Sequence, residues 1–335
     1  MSADPDRLPA VDSAAMRATR GASEPLMTRG QWIVLVVALL LVAAVPPFLK
    51  SYGTYLMTLV LVYIMAVMGL NLVVGYAGQM SIGHAAFFGI GAYHVAILTK
   101  LGISFWLVLP LAAGSCFLIG LLLGFPALRV QHHYLAFATL GFNVLVFLIM
   151  RNEQEWTGGT FGISGIPRPS LFGYELGGNL AFFYFTMVST IVLAAILAWL
   201  LRSPWGRAFA ALRDNPLRAE SLGVNITAYT LLAFAIGAAF AGVGGAYFAA
   251  LVNYIEPGPF TVLHSLTMLL AVIVGGSGRF FGPVLGTVLV LLLPEWLRFA
   301  QNWYLAAFGF AVVALMIWLP GGLLSLPERL RGLRR

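Results

Sequence analysis

Asn71, Gln79, Ser81 and His84 fall close together in the stretch Gly69-Leu70-Asn71-Leu72-Val73-Val74-Gly75-Tyr76-Ala77-Gly78-Gln79-Met80-Ser81-Ile82-Gly83-His84. They offer amide, hydroxyl and imidazole groups and no full charge. Such a set suits hydrogen bonding to a neutral polar molecule or a zwitterion, since a buried site matched to a net ion would carry a counter-charge. A second polar concentration runs from Arg202 to Thr227 and contains Arg207, Arg213, Asp214, Asn215, Pro216, Arg218, Ala219, Glu220 and Gly223. Charges clustered around an Asn-Pro pair suit docking to another protein; an ordinary solvated loop is the plainer reading of the same residues.

The groups required for nucleotide or covalent chemistry are missing. A phosphate-cradling P-loop needs Gly-Lys-Ser/Thr after a glycine-rich turn, and the only lysines sit in Leu49-Lys50-Ser51 and Thr99-Lys100-Leu101. Gly275-Gly276-Ser277-Gly278 imitates the serine motif of rhomboid intramembrane proteases, where the serine pairs with a histidine two spans later. No histidine follows His264, so Ser277 lacks a base. His84 and His94 have no acidic or cysteine neighbour at ligand spacing, and interhelical hydrogen bonding is their plainer reading. With Cys116 as the single cysteine, disulfides within the chain and cysteine metal clusters are excluded. No catalytic residue, metal site or cofactor is expected on this chain.

The elements that position these residues are dictated by composition. At 60% hydrophobic and 9% charged, with mean hydropathy +0.92, the 335 residues have too little polar surface for a soluble domain. The expected class is all-α, a polytopic membrane protein. Apolar runs long enough to span lie at roughly 32–49, 55–74, 80–98, 105–126, 134–150, 180–201, 229–251, 262–276, 282–297 and 303–320, about ten in all. The run at 262–276 is short and glycine-terminated, so a re-entrant segment is its alternative. Residues 1–30 are a flexible polar tail without the apolar core of a signal peptide. The membrane-spanning body then covers 31–325, and 326–335 form a basic C-terminal tail. Within the Arg202–Thr227 stretch, Asn215 can cap a helix whose first residue is Pro216, and Gly223 can end it. The result is a two-turn helix, Pro216 to Leu222, after a longer one from Trp205 to Arg213.

Charge decides orientation. With both termini cytoplasmic and ten crossings, fourteen of the nineteen Lys and Arg residues fall inside, among them Arg129, Arg202, Arg207, Arg213, Arg218 and Arg279. Lys50, Lys100, Arg151, Arg168 and Arg298 fall outside. That bias places 202–227 in the cytoplasm and the loop 151–178 outside. No span carries an Asp or Glu near its middle, which counts against a proton- or sodium-driven carrier. Gly120 with Gly124, and Gly278 with Gly282 and Gly286, read as helix-packing surfaces. Gly91-Ala92-Tyr93 echoes Gly245-Ala246-Tyr247, with Gly83 matching Gly237 and Ala85 matching Ala239, as a parallel internal repeat would.

The same residues carry a family resemblance. Asn71-Leu72, Gly75-Tyr76, Gly78-Gln79, Ser81 and Gly83-His84-Ala85-Ala86-Phe87 resemble the signature of LivM-type permease subunits of branched-chain amino acid ABC importers. So do Thr157 to Pro167 in the external loop, Gly206-Arg207-Ala208-Phe209 to Asn215 with Ala219-Glu220 and Gly223, and Ala271 to Gly286. The resemblance implies a bacterial inner-membrane permease paired with a second, homologous permease, two cytoplasmic ATPase subunits that bind ATP, and an external solute-binding protein. It also implies that the segment around Glu220 couples to the ATPase, although it departs from the Glu-Ala-Ala pattern common in ABC importers. The solutes implied are branched-chain amino acids, other amino acids, amides or urea. A self-sufficient carrier or channel, and a purely structural membrane subunit, are the rival readings.

Overall fold

The computed structural model describes residues 39–127, 132–171, 174–297, 309–310, 313–314, 317–319 and 321–326. The expected span at 32–49 therefore lies partly, and that at 303–320 largely, outside the described residues, as do the tail 1–30, Arg129, Arg298 and nearly all of 326–335. The chain divides into two compact units. In the first, Met1–Phe48, the described part is the short apolar helix α1 (Leu39–Phe48).

The described residues of the second unit, Leu49–Arg335, are almost wholly helical. The helices are α2 (Ser51–Leu70, continued by a π-helical turn over Asn71–Tyr76), α3 (His84–Lys100), α4 (Phe105–Ala127), α5 (His132–Asn152), α6 (Asn179–Arg202), α7 (Pro204–Asp214), α8 (Pro216–Ser221), α9 (Ile226–Val252), α10 (Val262–Gly275) and α11 (Gly282–Trp296). Among the described residues, five helices are long and apolar enough to cross a membrane: 51–76, 105–125, 135–152, 179–202 and 226–252. This makes the chain a multi-pass membrane protein. The apolar α10 and α11 are shorter.

The run expected at 80–98 begins later, because Met80–Gly83 is not helical and α3 starts at His84. The run at 262–276 forms the 14-residue helix α10, shorter than the five candidate spans. Its approach strand, β4 (Tyr254–Ile255), pairs with β1 (Ile163–Ser164) in the 151–178 loop, whereas Gly275 leads into the turn that meets Gly75 at the opposite end. Helix α10 is about 21 Å long. The strands β2 (Ser170–Leu171) and β3 (Tyr174–Glu175) form a second small hairpin in the same loop. No strand was expected from the sequence.

Helix α9 is central, packed on α4, α3 and α2. In lipid, apolar side chains gain little by meeting one another, so close backbone approach through small residues drives packing. Gly120 abuts Ala235 and Ala238, Gly124 meets Leu231, and Gly244 lies against Val62. Gly282 and Gly286 pack α11 onto Gly275 and Ala271, while Gly278, expected on the same packing surface, occupies a turn instead. The repeat helices meet reciprocally. Gly91 of α3 presses on the Gly242 backbone, and Gly245 of α9 presses on the Phe88 carbonyl. One spacing separates Phe88 from Gly242 and Gly91 from Gly245, so each helix uses equivalent positions against the other, as a two-fold contact requires.

Candidate functional site: a helix pair seated on two helix breaks

The polar stretch folds as its caps dictate. The Ser203 hydroxyl accepts from the Trp205 amide to start α7, with Pro204 in the first turn. The residue before a proline avoids the helical region, and Asn215 is extended (φ −161°, ψ 105°), which ends α7. Its Oδ1 then accepts the Arg218 amide at 3.0 Å and starts α8 at Pro216. At the far end Gly223 takes φ +84°, its N–H donates to the Glu220 carbonyl, and the Val224 N–H reaches the Ala219 carbonyl at 3.0 Å. This paired closure satisfies carbonyls that the helix leaves open.

The pair has two faces. Phe209 and Leu212 of α7 are buried in one apolar cluster with Met68, Leu72, Ala77, Leu197 and Leu200. Ala219 of α8 is 2% exposed, but Leu217 is 77% and Leu222 82% exposed beside the exposed Arg218 and Glu220. Arg207, Arg213 and Asp214 are exposed too, and Asn215 and Pro216 half-buried. Sequence reasoning overlooked Leu217 and Leu222, although two leucines in a charged segment were the available signal.

The pair rests on two breaks in the helical scaffold. The first follows α2, where the π turn carries the Ala77 N–H back to the Leu72 carbonyl, and Gly78 (φ +68°) then turns the chain toward α3. The second is the Gly276–Phe281 turn between α10 and α11, with Gly278 at φ +73°. Asn71 joins them: its Nδ2 donates to the Arg279 carbonyl at 3.1 Å, and its Oδ1 accepts the Gly278 N–H at 2.9 Å. Asn71 is fully buried. Arg213, at the C-terminal end of α7, reaches both breaks. A methyl group on Gly78 would lie 3.1 Å from Arg213 Cα, and one on Gly278 would lie 3.0 Å from Arg213 Cζ.

Of the other residues singled out from sequence, Gln79 is buried and its Nε2 donates to the Ala77 carbonyl at 3.1 Å. Ser81 is buried on the non-helical segment. His84 places Nε2 2.8 Å from the Ala66 carbonyl, an interhelical bond. His94 instead bonds within its own helix, its Nδ1 at 2.8 Å from the Ile90 carbonyl. Ser277 lies in the glycine turn.

Three further residues close the start of α3. Thr139 Oγ1 accepts the Ile82 N–H at 3.0 Å, and Ser265 Oγ accepts the Ala85 N–H at 2.8 Å. Ser265 in turn donates to Asn143 Oδ1 at 2.7 Å, and Asn143 Nδ2 donates to the Phe260 carbonyl. The first amides of a helix have no partner within it, and here α5 and α10 supply one. Their only signal in the sequence is polarity inside apolar runs.

The chain is 38% identical over 318 residues to the "High-affinity branched-chain amino acid transport system permease protein LivM" of Escherichia coli strain K12, covering 88% of this chain and 75% of that protein. The protein of the same description from Salmonella typhimurium matches equally. The "Autoinducer 2 import system permease protein LsrC" of Escherichia coli O9:H4 is 30% identical over 320 residues, 85% of this chain and 86% of that one. No solved structure matches. Residues 53–319, which include both breaks and the helix pair, match the family described as "Branched-chain amino acid transport system / permease component", and the chain belongs to that family.

Proposed function

We propose that this chain is the membrane permease of an ATP-driven importer of branched-chain amino acids or similar small neutral or zwitterionic solutes. It works in a bacterial inner membrane with a second, homologous permease, two cytoplasmic ATPase subunits that hold the ATP, and an external solute-binding protein. The observation that carries the reading is α8, a capped helix offering Leu217 and Leu222 to the outside while its pair partner α7 is fixed on the helix breaks. Exposed apolar side chains rimmed by charge mark a protein contact, and a chain without a P-loop needs its motor on another subunit.

In this arrangement ten spans place both termini in the cytoplasm, as the arginine bias favours. Arg207, Asp214, Arg218 and Glu220 lie on the side offered to the ATPase. Non-helical backbone at membrane depth is tolerated where it is buried in protein or lines a water-filled cavity. On that basis Gln79 and Ser81 lie nearest the solute pathway, with Asn71 and His84 holding its wall. ATP-driven closure of the motor moves α7 and α8, and rigid-body movement of α6 and α9 opens the pathway alternately to either side.

The test is assembly and uptake. Leu217→Asp with Leu222→Asp is expected to abolish co-purification of the ATPase subunits and ATP-dependent uptake of L-leucine, with the chain itself still folded. Glu220 and Gly223 replaced together are expected to lower ATP hydrolysis stimulated by the loaded binding protein. Leucine flux through the chain alone, without ATPase subunits, would support a self-sufficient carrier instead and remove the assignment.

A further inference from the structure

We propose that Arg213 is a positioning residue that carries movement of the α7–α8 pair to both helix breaks at once, and is not a contact for the ATPase. This rests on the importer reading above and assigns a distinct role to one residue of its docking segment.

The geometry separates Arg213 from the other charges of the segment. Helix α7 is anchored on the first break by its apolar face, since Phe209 and Leu212 share a buried cluster with Leu72 and Ala77. Phe280, near the end of the second break, packs against the same cluster, but the cluster does not include the glycine turn around Gly278. Arg213 does reach it: its backbone and stem cover Gly78, and its guanidinium lies on the Gly278 backbone, where a side chain on Gly278 would collide with it. Gly75 and Gly278 touch beneath it, and Asn71 bonds to Gly278 and Arg279. Helix C-terminus, first break and second break therefore converge on one side chain. A cation is also favoured there, because the last turn of a helix carries partial negative charge from its open carbonyls.

Glycine at 78 and 278 fits the same reading. Both have positive φ, and both present bare backbone to Arg213. A displacement of α7 cannot leave the Gly278 turn behind while the guanidinium fills the space over it. Without that side chain, α7 remains packed on the first break and keeps only the apolar cluster shared with Phe280 toward the second. The Asn71 joint and the Phe280 contact then have to carry the motion.

The experiment uses the complete complex: this chain, its partner permease, both ATPase subunits and the binding protein, in lipid nanodiscs. Met80, exposed on the first break, is changed to cysteine (Met80→Cys) and its rate of maleimide labelling is measured with ADP and after trapping with ATP and vanadate. The native Cys116 is buried and gives no competing signal. The labelling rate is expected to change on trapping. Arg213→Met is expected to shrink that change by about two- to thirty-fold while ATP hydrolysis, co-purification of the ATPase subunits and thermal stability persist. The proposal is overturned if Arg213→Met keeps the full change, if it strips the ATPase subunits or unfolds the chain, or if the Arg213 complex shows no change at Met80. L-leucine uptake by the unaltered complex is scored separately. A nucleotide-dependent change at Met80 with no leucine uptake removes the assigned solute and leaves the role of Arg213 standing.

Discussion

Replacing Asn71 by leucine would strand two buried backbone groups, the Gly278 N–H and the Arg279 carbonyl, at the point where two helix breaks meet. Each unsatisfied group costs about 1–3 kcal/mol, so Asn71→Leu is expected to lower the thermal midpoint of the purified chain and to weaken transport with it. Thr139→Val removes the acceptor for the Ile82 N–H and is expected to cost about 1–3 kcal/mol, read in the same unfolding assay. At this scale the sequence shows where polarity is out of place, and Asn71 and His84 stand out at membrane depth. It does not show their partners. Gly278 is separated from Asn71 by most of the chain, and nothing local in either segment encodes that contact. Arg213 was hidden for the same reason. An arginine in a polar stretch looks like a solvated charge until two glycines far apart are seen to leave room for it.

Among the elements, α8 was the most legible, because a cap acts within a few residues of its own position. Asn215, Pro216 and Gly223 each specify a local backbone state, and the structure adopts all three. Asn215→Ala is expected to destabilise the helix by about 0.5–2 kcal/mol, and hydrogen exchange at residues 218–224 should quicken accordingly. Gly223→Ala meets no steric obstacle but must hold φ +84°, so its cost of about 1 kcal/mol is confined to backbone strain. The small strands were illegible, being two residues long, and the β1–β4 pair forms only because the 151–178 loop meets the end of α9. Likewise the π turn after α2, Asn71–Tyr76, has no signature in the apolar pattern. Where α3 starts depends on Thr139 and Ser265, which come from other helices.

For the whole molecule, glycine placement sets which parts tolerate bulk. Gly91→Val drives a side chain into the Gly242 backbone, and the cost is expected to exceed the about 1–3 kcal/mol of ordinary overpacking, with loss of folded protein on size exclusion. Gly141→Ala and Gly114→Ala have open space and should leave the elution profile unchanged. Composition announced a membrane bundle, and periodic apolar runs marked α2 to α6 and α9 to α11 to within a few residues. The reciprocal seating of α3 on α9 emerged from the structure, with the echoed Gly-Ala-Tyr triplets its only trace in the sequence. In that crossing the groove on each helix is cut to fit the same pair of positions on the other. A polypeptide of half this length would therefore find, in a duplicate of itself, the neighbour that the present chain supplies from its own second half.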